Sequence, residues 1–189
     1  MLDVSARQFR MHGFADTSTE QLCAASGLGR SSLYNTFTSK EELFRRSLEQ
    51  HLTDSLDQHE AVLTDNGLSG LARLQALLDI VVDEETEARN EGHAAGCMIV
   101  ASRMTPDLGV REPRVQMALD RFQDRQLSLL TEAVMAGRAD GSIDKDLNVR
   151  DAANMVVSAI SGIRVLSQSG TKPENLRRIA TLHLTTLAA

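Results

Sequence analysis

Apolar residues along this 189-residue chain recur every three or four positions, and nowhere do they alternate over the length of a strand. Leu2, Ala6 and Phe9, with Met11 just beyond, line one face of a short first helix that Gly13 is expected to end. "DTSTEQLCAASG" reads as a cap and a second helix. Ser18 stands three residues before Gln21 in a capping box, Leu22 and Ala25 face inward, and Gly27 closes the element. A tight turn leads to "SSLYNTF", a third helix of about two turns, with Leu33 and Phe37 directed back into a small core. Ser39 then caps a long helix through Leu43, Leu48, Leu52, Leu56 and Leu63, long enough to join two domains.

The same period continues in the second part. "TDNGLSG" interrupts it, "LARLQALLDIVVDEETEARN" resumes it, and "EGHAAG" reads as a loop. "CMIVASRM" is a short apolar helix stopped by "TPDLG". A long amphipathic helix over 112–136 runs through Val115, Leu119, Phe122, Leu129, Leu130 and Val134, and "AGRADGSIDKDL" is expected to turn. Two last helices span roughly 149–168 and 174–188, separated by "SGTKP". The predicted fold class is all-α with about nine helices. Residues 1–45 form a three-helix N-terminal domain, and residues 46–189 form a larger helical bundle.

Composition agrees. Apolar content of 42 % suffices for a sizeable core, and three prolines with few aromatics favour helix. No apolar run approaches the ~18 residues of a membrane span, so no membrane partner is expected. "MLDVSARQFRMHGF" is no secretory signal, which makes the cytoplasm the expected compartment. Cys23 and Cys97 lie far apart among small apolar residues, poor material for a disulfide scaffold. The net charge of −6 is uneven. Residues 1–50 hold six cations and six acids, so residues 51–189 carry the whole excess. Overall acidity does not exclude nucleic acid, because contact depends on the field within a Debye length of about 10 Å.

Within the neutral part, "GLGRSSLYNTFTSKEEL" concentrates hydroxyls, an amide, a tyrosine and two cations. A helix, a tight turn and a second, polar helix form the layout of a helix-turn-helix, whose second helix lies in a major groove. The candidate phosphate contacts are Ser18 and Thr19 at a helix N-terminus, the Tyr34 hydroxyl, and Lys40 at the start of the fourth helix. The candidate base readers are Arg30, Ser31, Ser32, Asn35 and Thr36. Arg suits guanine O6/N7, Asn suits adenine N6/N7, and the Thr methyl suits a thymine methyl.

From "MLDVSARQFRMHGF" through "TSTEQLCAASG" and "SSLYNTF" to "SKEELF", about 45 residues in order, the sequence closely resembles the N-terminal domain of the TetR-like (tetracycline-repressor-type) bacterial transcriptional regulators. "GCMIVASRM", "AGRADGSIDKDL" and "SGIRVL" resemble the same family's regulatory domain more weakly. The resemblance implies a homodimer on a palindromic double-stranded DNA operator, most often a repressor released by a small-molecule effector. Such a protein is cytoplasmic and nucleoid-associated when bound. Two features depart from the pattern. The usual tyrosine–aromatic–histidine run reads Tyr34–Asn35–Thr36, and the basic arm that often precedes the first helix is missing before Met1. Either the start is misassigned or minor-groove contacts are absent, and each lost phosphate contact weakens binding and flattens its salt slope.

An effector pocket is expected between helices of residues 51–189. Its polar candidates are His93, Ser102, Gln126, Ser158 and Arg164, with Met98, Met104, Phe122 and Met155 as adaptable walls, although such residues are also ordinary core. His93 and Cys97 stand four apart without a third ligand nearby, so no metal or cofactor is expected. The last two helices are the expected dimer interface through Met155, Ala159, Gly162, Ile179 and Leu182, with internal core as the competing role. A small helical enzyme is the alternative class. Against it, the sequence offers no Ser/His/Asp set, metal-ligand cluster or glycine-rich phosphate loop. A helical protein-interaction module is the third reading.

Overall fold

The computed structural model describes residues 1–90 and 97–189. Ten α-helices form among them: α1 (Leu2–Asp16), α2 (Thr19–Ser26), α3 (Arg30–Thr36), α4 (Lys40–Leu63), α5 (Gly70–Asn90), α6 (Met98–Met104), α7 (Leu108–Arg111), α8 (Pro113–Asp140), α9 (Val149–Gln168) and α10 (Pro173–Thr185). Among the described residues extended pairing is confined to an isolated bridge between Ile143 and Ala188. The fold is all-α, as the periodicity predicts. The expected loop "EGHAAG" lies outside the described residues.

Four local expectations need correction. Gly13 takes φ 75° and ψ 167° and kinks α1 rather than ending it; the helix resumes to Asp16. Ala25 is exposed, because one buried side chain, Leu22, anchors α2. The stop at "TPDLG" is followed by a one-turn helix, α7, entered through Asp107 at φ 59° and pinned by buried Leu108. Finally, α8 runs on to Asp140 through Gly137, where a turn was expected. That glycine serves packing: a Cβ on Gly70 would meet the Gly137 nitrogen at 2.2 Å and its Cα at 2.3 Å. The two backbones touch where α5 begins.

The chain packs as two compact units. The first comprises Met1–Ser55 and Gly96–Arg121, the second Leu56–Ala95 and Phe122–Ala189. In the first, Phe9, Phe14 and Phe44 form an aromatic triad with centroids 4.9–6.2 Å apart. Leu22, Leu33, Phe37, Leu43 and Leu48 complete its interior, and α6 packs on α1.

The second unit buries Leu74, Leu77, Leu78, Val81 and Val82 of α5 against α9 and α10. The N-terminus of α5 is capped from far along the chain. Gly70 N–H donates to Asp140 Oδ2 (2.7 Å) and Leu71 N–H to Ser142 Oγ (3.1 Å), which satisfies helix donors left open by the first turn. Hydrogen bonds to its carboxylate, from the Ser142 side chain foremost and then from the Gly70 and Ser142 N–H groups, hold Asp140 below its usual value.

Candidate nucleic-acid interface

A helix of seven residues is marginal by itself, so α3 depends on what holds it. Leu33 (0 % exposed) and Phe37 (4 %) tether it to the core, and Arg46 lies over the Phe37 ring at 5.1 Å. Burying such a side chain contributes about 1.5–3 kcal/mol. Gly27 at φ 68° supplies the left-handed residue that turns the chain out of α2. The capping box forms as the spacing predicts: Ser18 Oγ accepts from Gln21 N–H (3.1 Å), and Gln21 Oε1 accepts from Ser18 N–H (2.7 Å). A hydroxyl pair, Thr19 Oγ1 and Tyr34 OH at 3.0 Å, then pins α2 to α3.

These constraints leave one side of α3 free. Arg30, Ser31, Ser32, Asn35 and Thr36 are all exposed, above buried Leu33 and Phe37. Exposed Thr36 donates its hydroxyl proton to the Ser32 carbonyl (3.0 Å). Arg30 is held loosely: Glu20 sits 3.4 Å away with both side chains about 70 % exposed, and the Tyr34 ring lies 6.0 Å below. Exposed pairs of this kind contribute roughly 0–1 kcal/mol, so Arg30 leaves Glu20 for a stronger acceptor at little cost.

Of the expected phosphate contacts, Ser18, Thr19 and Tyr34 are half-buried and already bonded within the motif. Lys40 is committed further. Its Nζ donates to the Thr17 carbonyl (2.7 Å) and the Ala15 carbonyl (3.4 Å) and lies 4.6 Å over the Phe14 ring. It therefore clamps the end of α1 to the start of α4, where a cation also suits the α1 dipole. Nothing near Lys40 in sequence announces this, since its partners lie more than twenty residues upstream. Arg45 is likewise spent on Glu42 and Glu49, each at 2.7 Å. The Arg45 hydrogen bond holds the Glu42 carboxyl below its usual value.

The residues expected to line an effector pocket divide between the two units. His93 lies outside the described residues. Buried Met98 and Ser102 belong to the first unit, not to the bundle that was to hold the pocket. Ser158 is exposed, because α9 turns Ala152, Val156 and Ala159 inward instead. Phe122, Gln126 and Arg164 are buried in the second unit, and Met155 packs against its core. Among the interface candidates, Ala159 (1 % exposed) is used by the chain's own core. Gly162 faces open space, Leu182 is 64 % exposed, and Ile179 is half-buried. Val165, at 43 % exposure, joins the outward apolar side of α9 and was not anticipated.

Comparison with known proteins bears on both units. Residues 1–46 match the family model described as bacterial regulatory proteins, tetR family, and residues 70–182 match that of the tetracyclin repressor-like C-terminal domain. The HTH-type transcriptional repressor ComR of Escherichia coli (strain K12) is 26 % identical over 181 residues, covering 95 % of this chain and 83 % of its own. Among solved structures, a cysteine mutant of the TetR family regulator CifR complexed with 26 bp double-strand operator DNA has a TM-score of 0.81 at 25 % identity, over 98 % of this chain and 94 % of that one. A TetR family regulator from Agrobacterium tumefaciens reaches a TM-score of 0.84 at 17 % identity, covering 100 % and 95 %, a likeness of fold.

Proposed function

The chain belongs to the tetR family of bacterial regulatory proteins, and we propose that it is a cytoplasmic, dimeric repressor whose α3 reads a palindromic operator and which a small-molecule effector releases. The observation that carries this reading is the outward side of α3. Five polar side chains of base-reading type stand exposed on a helix fixed by two buried apolar residues and one hydroxyl pair. Asn35 and Arg30 are the bidentate readers, Ser31, Ser32 and Thr36 make the shorter contacts, and Thr19, Tyr34 and Lys40 set the motif against the backbone. DNA contact falls to residues 1–45, and effector binding and dimerisation to residues 46–189.

A two-fold operator asks for a two-fold protein, with recognition helices one duplex turn, about 34–36 Å, apart. Gly162, Val165, Ile179 and Leu182 supply the surface on which a second copy packs through α9 and α10. The effector acts by binding more tightly to a conformer that does not match this spacing. That ComR carries the name of a transcriptional repressor supports repression over activation.

A mobility-shift titration against the upstream intergenic DNA, at several salt concentrations, tests the reading. Salt-sensitive binding to a palindrome is expected, and Asn35→Ala is expected to flatten discrimination at one base position by roughly 1–3 kcal/mol. Binding of no palindrome at any salt overturns it.

A further inference from the structure

Four helices place polar side chains in the interior of the second unit, His59 from α4, Glu85 from α5, Gln126 from α8 and Arg164 from α9, with half-buried Glu84 of α5 beside them. Arg164, 4 % exposed, donates to Glu85 Oε1 (2.8 Å) and to Glu84 Oε2 (2.6 Å). Glu85 is 1 % exposed, and its other oxygen, Oε2, is buried without a hydrogen-bond partner. His59, 2 % exposed, is in the same condition: Nδ1 faces the Gln126 amide nitrogen at 3.4 Å, while Nε2 has no partner. With that amide as donor, Nδ1 accepts and Nε2 carries the ring proton. The charges of Arg164 and Glu84 act on His59, so these groups share one region. Phe122 completes it, its ring 6.2 Å from the imidazole.

Each buried polar atom left open has given up its water without a replacement and so costs stability. A core built only for stability would close them, or would replace the ion pairs by apolar packing at little loss. One open donor and one open acceptor buried in the same unit, with the Arg164 and Glu84 charges reaching His59, instead suit a ligand that carries the complementary pair. Charge narrows the class. Two carboxylates face one guanidinium, and His59 is uncharged near neutrality because burial lowers its pKa to about 4. The described cluster is short of one positive charge, and an anion entering it meets repulsion without a free cation to offset it.

We propose that this interior cluster recognises the effector and that the effector is a small organic cation. A protonated amine donates to Glu85 Oε2, an acceptor atom takes the His59 Nε2–H, and an apolar body lies along Phe122. This inference rests on the effector-responsive reading given above.

Three probes of one skeleton test it on the full-length wild-type protein: 2-phenoxyethylamine, 2-phenoxyethanol and phenoxyacetate. Binding is followed by thermal shift and by the His59 imidazole in two-bond 1H–15N spectra, and operator release by mobility shift. The amine at millimolar concentration is expected to raise the melting temperature, to move the His59 Nε2 resonance and to release operator. The alcohol should bind at least tenfold more weakly, and the carboxylate not at all. Glu85→Gln should erase the preference for the amine; if that variant does not fold, the wild-type ranking still decides. An alcohol as tight as the amine, a bound carboxylate, or an unmoved His59 signal overturns the assignment. Palindrome binding without any amine response defeats the site alone, whereas absence of palindrome binding defeats the regulator reading, whatever seats on His59.

Discussion

Lys40 is a cation whose position suggests a phosphate contact and whose surroundings make it a clamp. Its two carbonyl partners, Thr17 and Ala15, close the kinked end of α1, and the Phe14 ring beneath it belongs to the aromatic triad. Hydrogen bonds from a charged donor contribute about 1.5–3 kcal/mol each when both partners are shielded, and less here because the site is half exposed. Lys40→Ala is therefore expected to lower stability by about 1–2 kcal/mol in urea unfolding and to weaken binding to all operators alike. A pure phosphate contact would reduce the salt slope by about one and leave the unfolding midpoint alone. An unchanged midpoint in Lys40→Ala would thus remove the clamp. Arg30 presents the opposite case, a proposed reader whose pairing with exposed Glu20 solvent has already weakened.

At the scale of elements, what could be read from sequence was whatever lies within one turn. The Ser18–Gln21 box, the Gly27 turn, the Ser39 cap and the inward Leu33 and Phe37 all depend on neighbours three or four residues away, and all form. The exposed side of α3 was legible for the same reason. The end of α8 was not, because Gly137 looks like a turn residue yet lies within the helix, its backbone against Gly70 and the space of a Cβ filled by Ile143. The cap on α5 by Asp140 and the Arg164–Glu85 pair were equally hidden, since each joins residues at least seventy apart. Two glycine substitutions separate these roles. Gly70→Ala drives a methyl into the Gly137 backbone and should cost ~3 kcal/mol or more, at the upper end of overpacking, visible as a large fall in melting temperature. Gly162→Ala meets open space in mid-helix and should instead stabilise the chain by about 0.5–1 kcal/mol. Gly162→Arg keeps that space for the single chain but obstructs a second copy, so light scattering should report a monomer. A Gly162→Arg protein that remains dimeric moves the interface away from this side of α9.

The whole molecule holds its charges in two manners, and pH separates them. Exposed carboxylates such as Asp120 and Asp140 are held low by hydrogen bonds, Asp120 chiefly by Arg103, so whatever they contribute is lost only as pH falls below the ordinary carboxylate value of 3.8. His59 works in a higher window. Burial lowers its pKa from 6.5 to about 4, so the folded chain binds fewer protons than the unfolded chain between those values. Stability therefore rises with pH across that interval. It is fully present above pH 6.5, falls on acidification, and loses nothing more through this group below about 4. A displacement of this size corresponds to a loss on the order of 3 kcal/mol, a large fraction of the 5–15 kcal/mol typical of a folded domain. His59→Gln keeps a polar partner for Gln126 without a titrating ring. Urea unfolding of both proteins from pH 7.5 to 4 should show a steep decline for wild type and a shallow one for the variant. Parallel declines would mean that His59 takes up its proton as readily folded as unfolded, which a ring 2 % exposed beside the Arg164 charge is built to prevent.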